Sequence, residues 1–525
     1  MNGVLMNLRS LYRQTVLMLV LLLPGAVWAQ AQLLQERWVR VDTEHFHLIS
    51  QLNSRQTLRV ANMLETWRRV AAYTISSGQI SGQENYPPAN VPNYVYLFEN
   101  LETYQMFTFA TEEGFFTPSP RANFMAFIAG EEDSSAIAFH HYVHFLVRNF
   151  SDLRLPRWYE EGLAGYISRM RVAGDEVEFD RYTAESHELM ISISEQLSMD
   201  RLLFREEALA SPRVIQIANL KSETLLHYIL HAYEEDGFTD RRAQLSRYLE
   251  LLLEGRNPRF AYDQAFDLSP AQLDEEFHTY LATSRRPSGT INTGTLTNDV
   301  DYASEPLAGA PLAIQLAELA LNSGRFENAQ LLFQAAQDSG QEIARSYSGL
   351  GDALRMQELD GMDQRITGYF EQALALAPED PNIQLDYGEY WEAELLDCDN
   401  DWPPAQRSRI LNDMQQQFSR AVERVPASPE ANLAMGQLHL ISEMDWQPGL
   451  EYQRKAFELL PADTFILEQS TKYAIAAGDF AEAERLINEL AQPIHFWGEP
   501  GWVTELRERL LSKRNNSTYD ACADE

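Results

Sequence analysis

The sequence predicts an α+β domain followed by an all-α helical repeat. Three observations carry this reading. Strand-like and helix-like segments alternate early in the chain, as in "NYVYLF", "NLETYQMFTFA" and "NFMAFIAG". Beyond about residue 306 one helix ending recurs, as "LALAPEDP", "VERVPASP" and "FELLPADT". Between these regions lies "SRRPSGTINTGTLTND", which is polar and lacks apolar periodicity.

The chain has 525 residues, 45% of them hydrophobic, enough for two or three domains. Its net charge of −35 argues against nucleic-acid or anionic-membrane partners, which select a basic surface. Residues 1–29 read as a secretory signal peptide. Arg9 and Arg13 supply the positive region, "VLMLVLLL" the apolar core, and Val27 and Ala29 precede a cut after Ala29. The apolar run is shorter than the roughly 20 residues of a membrane span. The mature protein is therefore expected to be periplasmic or secreted, with no membrane contact; an uncleaved anchor is the alternative. Cys398 and Cys522 offer one possible disulfide, and whether they pair stays open.

Residues 30–285 form the expected α+β domain. "RWVRVDTEHFHLIS" alternates as a half-buried strand, with His45 and His47 opposite Phe46. "SRQTLRVANMLETWRRVAAYTI" carries helical spacing, and residues 170–283 read as mainly helical. Residues 286–305 are the expected linker, 306–493 the repeats, and 494–525 a closing helix with a polar tail. The repeat prolines Pro426 and Pro461 stand 35 positions apart, and Pro378 and Pro426 stand 48 apart, the excess assigned to an insertion around "DCDNDWPPAQRS". Alanine-bearing helices precede each proline. This pattern, over residues 308 to 492, resembles the tetratricopeptide repeat family, with about five units. The resemblance implies a solenoid whose concave groove takes a protein or peptide partner. Asp397, Asp399 and Asp401 look like the start of a calcium loop but lack its glycine and distal glutamate, so a solvated loop is expected.

The chemistry is concentrated in "SSAIAFHHYVHFLVRNF". On a helix begun by Ser134 or Ser135, His140 and His144 lie one turn apart on one face, where both imidazoles reach one ion. The next helix, "LRLPRWYEEGLAGYISRM", carries Glu161 seventeen positions after His144. Ala164 and Gly165 allow a neighbouring helix close to it, which brings Glu161 within reach of the same ion. Two histidines and a carboxylate with an open fourth position form a catalytic zinc (Zn2+) arrangement. Glu160 points about 100° away and is expected to be solvated, with a displaced base as the alternative. "SHEL" at His187 imitates half of the motif without completing it.

Residues 136 to 167 resemble the gluzincin metallopeptidases, in particular the peptidase MA-like group. There, H-E-x-x-H is followed by P-x-W-x-x-E-G-x-A-x-Y; here "HHYVH" precedes "PRWYEEGLAGY". The resemblance implies a zincin-like fold, zinc ligands at His140, His144 and Glu161, a peptide substrate, and "NFMAFIAG" as the edge strand where peptides pair. The sequence departs at the general base, where the family's glutamate is replaced by His141. Three readings stay open: His141 as replacement base, metal binding without hydrolysis, or a metal-free remnant. His227, in "LLHYIL", either faces a substrate oxyanion as a second catalytic group or is a satisfied core histidine.

Overall fold

The computed structural model describes residues 30, 32–77, 91–109, 114–130, 132–150, 155–173, 176–179, 190–192, 194–205, 211–283, 290–292, 294, 297–359, 361–398, 400, 402–442, 446–491 and 500–517. The expected signal peptide, the "SHEL" segment, Asp399, Asp401 and Cys522 lie outside these residues. Among the described residues, no helix is long and apolar enough to cross a membrane.

A mixed sheet near the N-terminus is followed by many helices. Strands β1 (Trp38–Asp42), β2 (His47–Ser50), β3 (Asn93–Phe98), β4 (Gly114–Thr117), β5 (Asn123–Ile128) and β9 (Ser304–Leu307) line up in the order β4-β5-β3-β2-β1-β9. The three strands β2, β3 and β5 run parallel, while β4, β1 and β9 pair antiparallel with their neighbours. The stretch read as one strand around His45 is a hairpin instead. Its turn is closed by Glu65, which accepts from Thr43 Oγ1 at 2.6 Å and from the His45 backbone N–H at 2.9 Å.

Side-chain alternation sends the residues of each strand to two different cores. Val95 and Leu97 of β3, with Met125 and Phe127 of β5, join one core. It is completed by helices that include α1 (Ser54–Ser77), α3 (Glu132–Phe150), α4 (Arg157–Ser168) and α6 (Pro212–His231). Tyr96, Phe98, Phe124, Ala126 and Ile128 point the other way. There they pack against α10 (Gly309–Asn322), α11 (Phe326–Asp338) and α12 (Ile343–Arg355). Every residue of β5 is buried in consequence, the pattern of a strand covered on both faces. The remaining elements of the first part are α2 (Leu101–Tyr104), α5 (Met199–Phe204), α7 (Arg242–Leu253), α8 (Pro258–Ala265), α9 (Pro270–Thr283) and a small sheet of β6 (Arg171–Ala173), β7 (Glu176–Glu178) and β8 (Thr290–Asn292).

The segment expected as a linker is tied to the first domain. Thr290–Asn292 pairs with β7, and Ser304–Leu307 pairs with β1. Between them Asn298 is buried, its N–H donating to Thr66 Oγ1 at 2.8 Å and its amide to Asn62 Oδ1 at 2.7 Å. Polar side chains made this stretch look solvated, but its anchoring uses backbone pairing and one asparagine, which leave no apolar period to read.

The helical array continues with α13 (Asp363–Leu376), α14 (Pro381–Leu396), α15 (Pro404–Arg424), α16 (Pro429–Ile441), α17 (Gly449–Leu459), α18 (Thr464–Ala477), α19 (Phe480–Leu490) and α20 (Gly501–Arg514). Each recurring proline stands two residues past a helix end. Two residues later, Asp380, Ser428 and Asp463 cap the next helix with a side-chain oxygen. Gly388 on α14 leaves room for the Phe418 ring of α15, which occupies the place of a Cβ. The 48-residue spacing is absorbed partly by α15 itself, which runs 21 residues against 14 for α13 and 11 for α17. Cys398, in the loop before α15, is disulfide-bonded.

Candidate metal centre

Helix α3 begins at Glu132, earlier than the serines suggested. Ser134 accepts instead from the Ile128 N–H at 2.8 Å, pinning the helix to the end of β5. Phe139 and Tyr142 pack on Trp67 of α1, with ring centroids at 4.6 and 5.9 Å. That anchors one face of α3 in the core, and the other face carries His140 and His144 toward α4.

Pro156 opens α4, its carbonyl accepting from the N–H groups of Tyr159 and Glu160. Nearly all of this helix is buried. Its small residues explain the close packing: a Cβ at Gly162 would come within 2.7 Å of the Ser222 carbonyl on α6. Held between α3 and α6, Glu161 is 1% exposed.

The two helices bring the three expected ligands together. His140 Nε2 lies 3.2 Å from His144 Nε2 and 3.3 Å from Glu161 Oε2, and His144 Nε2 lies 3.8 Å from the same oxygen. Donors about 2.0–2.1 Å from a tetrahedral zinc ion stand about 3.3 Å apart. The donor triangle therefore has the size of one face of such a site, and two imidazoles with a carboxylate suit that ion. These are the donors of the group that clusters within 4.8 Å, and His141 is not part of it.

Behind the triad stands a carboxylate that sequence reasoning placed in solvent. Glu160 is 3% exposed. Its Oε1 lies 3.2 Å from His144 Nδ1 and accepts from Arg148 Nε at 2.6 Å, while Oε2 accepts from Arg148 Nη2 at 3.2 Å. The 100° offset from Glu161 points Glu160 at α3 because α4 has no solvent-facing side here. Burial pushes this carboxyl up, but Arg148 and His144 hold it down at about 2. A carboxylate on the far nitrogen of a ligating histidine fixes the ring so that Nε2 faces the ion. The legible signal was Arg148, one helical turn beyond His144.

His141 is half-buried beside the His140 ring, the centroids 5.8 Å apart. Burial and the two flanking imidazoles pull it down to about 4, so it is neutral at pH 7. His227 is in the core rather than at an open cleft. It is fully buried, with Nδ1 3.1 Å from the Tyr280 hydroxyl and its ring 5.0 Å from that of His231. That environment satisfies the imidazole internally and leaves no face toward a substrate.

The edge strand is also reassigned. β5, carrying "NFMAFI", is internal, and β4 covers it as the edge. Gly114 of β4 packs on the Ser134 backbone with no room for a Cβ. Phe116 meets Tyr142 and Phe145 at 5.3 and 5.6 Å. The strand thus runs alongside the stretch of α3 that carries the histidines. Among the described residues a second donor group, Glu44, His45 and Glu65, also clusters. Glu65 is already engaged by Thr43 and by both the backbone and the ring of His45, the role of a turn-closing carboxylate.

Comparison with models of known protein families and with curated proteins finds no match to the chain.

Proposed function

We propose that this is an exported zinc-binding protein built on metallopeptidase lines, which binds peptide rather than cleaving it. In this reading residues 30–285 are a gluzincin-like domain with His140, His144 and Glu161 as zinc ligands. The array is a tetratricopeptide solenoid that engages a protein or peptide partner. The observation that carries the reading is the donor triangle of 3.2, 3.3 and 3.8 Å, backed by the Glu160–Arg148 pair. A zinc ion held there supplies a Lewis acid that activates water. Peptide would pair along the open edge of β4. The signal-like leader and the bonded Cys398 both suit an oxidising, exported location.

Charge favours binding over hydrolysis. A glutamate base becomes neutral when it takes a proton. His141 would become a cation between His140 and His144 and against a divalent ion, which Coulomb repulsion opposes. Glu160 does not substitute, because Arg148 and His144 already engage it. Loss of a positioned base typically costs about 10²- to 10⁴-fold. The second reading, hydrolysis with His141 as base, has against it that burial and the flanking imidazoles hold the ring down at about 4, which makes it a weak proton acceptor at pH 7.

Metal analysis of the purified protein tests the first claim, with about one zinc per chain expected and none in His140→Ala. Zinc content near zero in the wild type overturns it. Casein hydrolysis that disappears in His144→Ala would replace binding with catalysis.

A further inference from the structure

We infer that the acidic groove of the helical array is a receptor for the molecule's own β4–β5 hairpin, with Arg121 as the residue that positions edge strand β4 beside the metal triad. Only residues 118–122 separate β4 from β5. Arg121, in this loop, leaves its own domain and enters the array. Its Nε donates to both oxygens of Glu430 on α16, at 2.7 and 2.8 Å, and its Nη2 donates to Asp386 Oδ1 on α14 at 2.6 Å. Asp386 is oriented in turn by Ser348 of α12, whose hydroxyl donates to Oδ2 at 2.5 Å. Pro120 of the same loop lines a groove of about 590 Å³ whose wall includes Glu389, Glu392, Glu430 and Glu468 against Arg355 and Lys472.

The receptor is built for a cation. Asp386, Glu389 and Glu430 crowd one another, and burial together with their mutual repulsion raises both Glu389 and Glu430. A guanidinium between Asp386 and Glu430 relieves that repulsion. Taking Arg121 away would leave the buried carboxylates Asp386 and Glu430 without this partner, the costly way to break a buried pair.

The loop is stiff enough to transmit the anchor. Pro118 and Pro120 fix their own backbone φ angles. Ser119 Oγ donates to the Ala122 carbonyl at 2.7 Å and accepts from its N–H at 3.1 Å, closing the turn. β4 is only four residues long and among the described residues pairs on one side, from Gly114↔Phe127 to Thr117↔Phe124. A short edge strand frays readily, so a fixed point one loop away matters to it. The array also grips the far end of the metal helix. Asn149 Oδ1 accepts from the Ala462 N–H at 3.0 Å, and Phe145 packs against a cluster of Val91 with Ala456, Leu460 and Ile466. The array thereby holds both the strand and the helix that flank the triad. That β4 is the strand on which a peptide pairs rests on the reading proposed above; the anchoring does not.

Backbone hydrogen exchange on the full-length protein tests the anchor, read at residues 114–117 and 123–128. Arg121→Ala should speed exchange of the β4 amides at least tenfold while leaving exchange in α1 and α6 and the zinc content unchanged. Arg121→Glu should do the same, and Glu430→Arg with Asp386→Asn added to Arg121→Glu should restore protection by reversing the pair. Unchanged β4 exchange in Arg121→Ala, or failure of the reversed pair to restore it while the fold is intact by circular dichroism, overturns the inference. Exchange is read without added metal or peptide, so a failed anchor and a failed zinc assignment give different results.

Discussion

His144 and Glu160 form a buried hydrogen-bonded pair, Nδ1 to Oε1 at 3.2 Å, that turns the other ring nitrogen toward His140 and Glu161. In the proposed zinc site the pair would set Glu160 behind a ligand without its touching the ion. Glu160→Gln should weaken zinc binding by about 10- to 100-fold, the usual cost of losing a carboxylate behind a ligating histidine. Chelator competition measures this, and an unchanged affinity would show that the pair serves packing alone.

Zinc should also stabilise the fold. At a free concentration about a hundred times Kd, a ligand that binds only the folded state adds about 2.7 kcal/mol. The urea midpoint of the wild type should therefore rise with zinc and fall back with chelator, whereas Glu161→Ala should respond to neither. A wild-type midpoint indifferent to zinc would contradict the donor geometry.

His141→Glu restores an anionic base at the position where the wild type has a neutral ring. With zinc bound, hydrolysis of a casein substrate should appear or rise by about 10² to 10⁴. A loaded His141→Glu that is as inert as the wild type would mean that the site lacks more than its base.

Close packing of α4 on α6 predicts an intolerant glycine. Gly162→Ala sets a Cβ within 2.7 Å of a carbonyl oxygen and should cost about 1–3 kcal/mol, as overpacking does. Because Glu161 is the preceding residue, zinc affinity should fall with it. Urea denaturation showing no loss would put α4 farther from α6.

The array should be more stable in mild acid than at pH 8. Burial pushes Glu392 up to about 7, against the opposing pull of Lys472, and burial with Asp386 nearby raises Asp352 as well. An unfolded glutamate titrates near 4.3. These groups therefore hold protons more tightly when folded. Their contribution is whole below about pH 4 and is lost as the pH climbs through about 7. Tm should drop between pH 5 and pH 8, and Glu392→Gln should flatten the drop. A Tm that rises over this range in both proteins would refute the assignment.

The triad was legible because its spacing is local. One turn separates His140 from His144, and the small residues after Glu161 announced a close helix. Glu160 was misread because a 100° offset says where a side chain points but not what stands there; burial of α4 on every side is a tertiary fact. β4 was missed because "GFFT" is too short to show a period. The apolar runs of β3 and β5 did signal strands, though not that β5 is internal and covered on both faces. Nothing local says that the second cover comes from residues 309–355. His227 shows the converse limit, since the same helical position serves either a cleft or a core.

The shared sheet makes the two halves of the chain inseparable. Tyr96, Phe98, Phe124 and Ile128 share one core with the array's first helices and with Trp38, Tyr104 and Phe107 of the first part. A cut at residue 300 would strip both partners and yield two aggregating fragments, not two working modules. Recombination cannot shuffle such an array onto a new host the way it moves a tethered adaptor. Any relative of this protein that lacks the helices must carry something else over that face of the sheet.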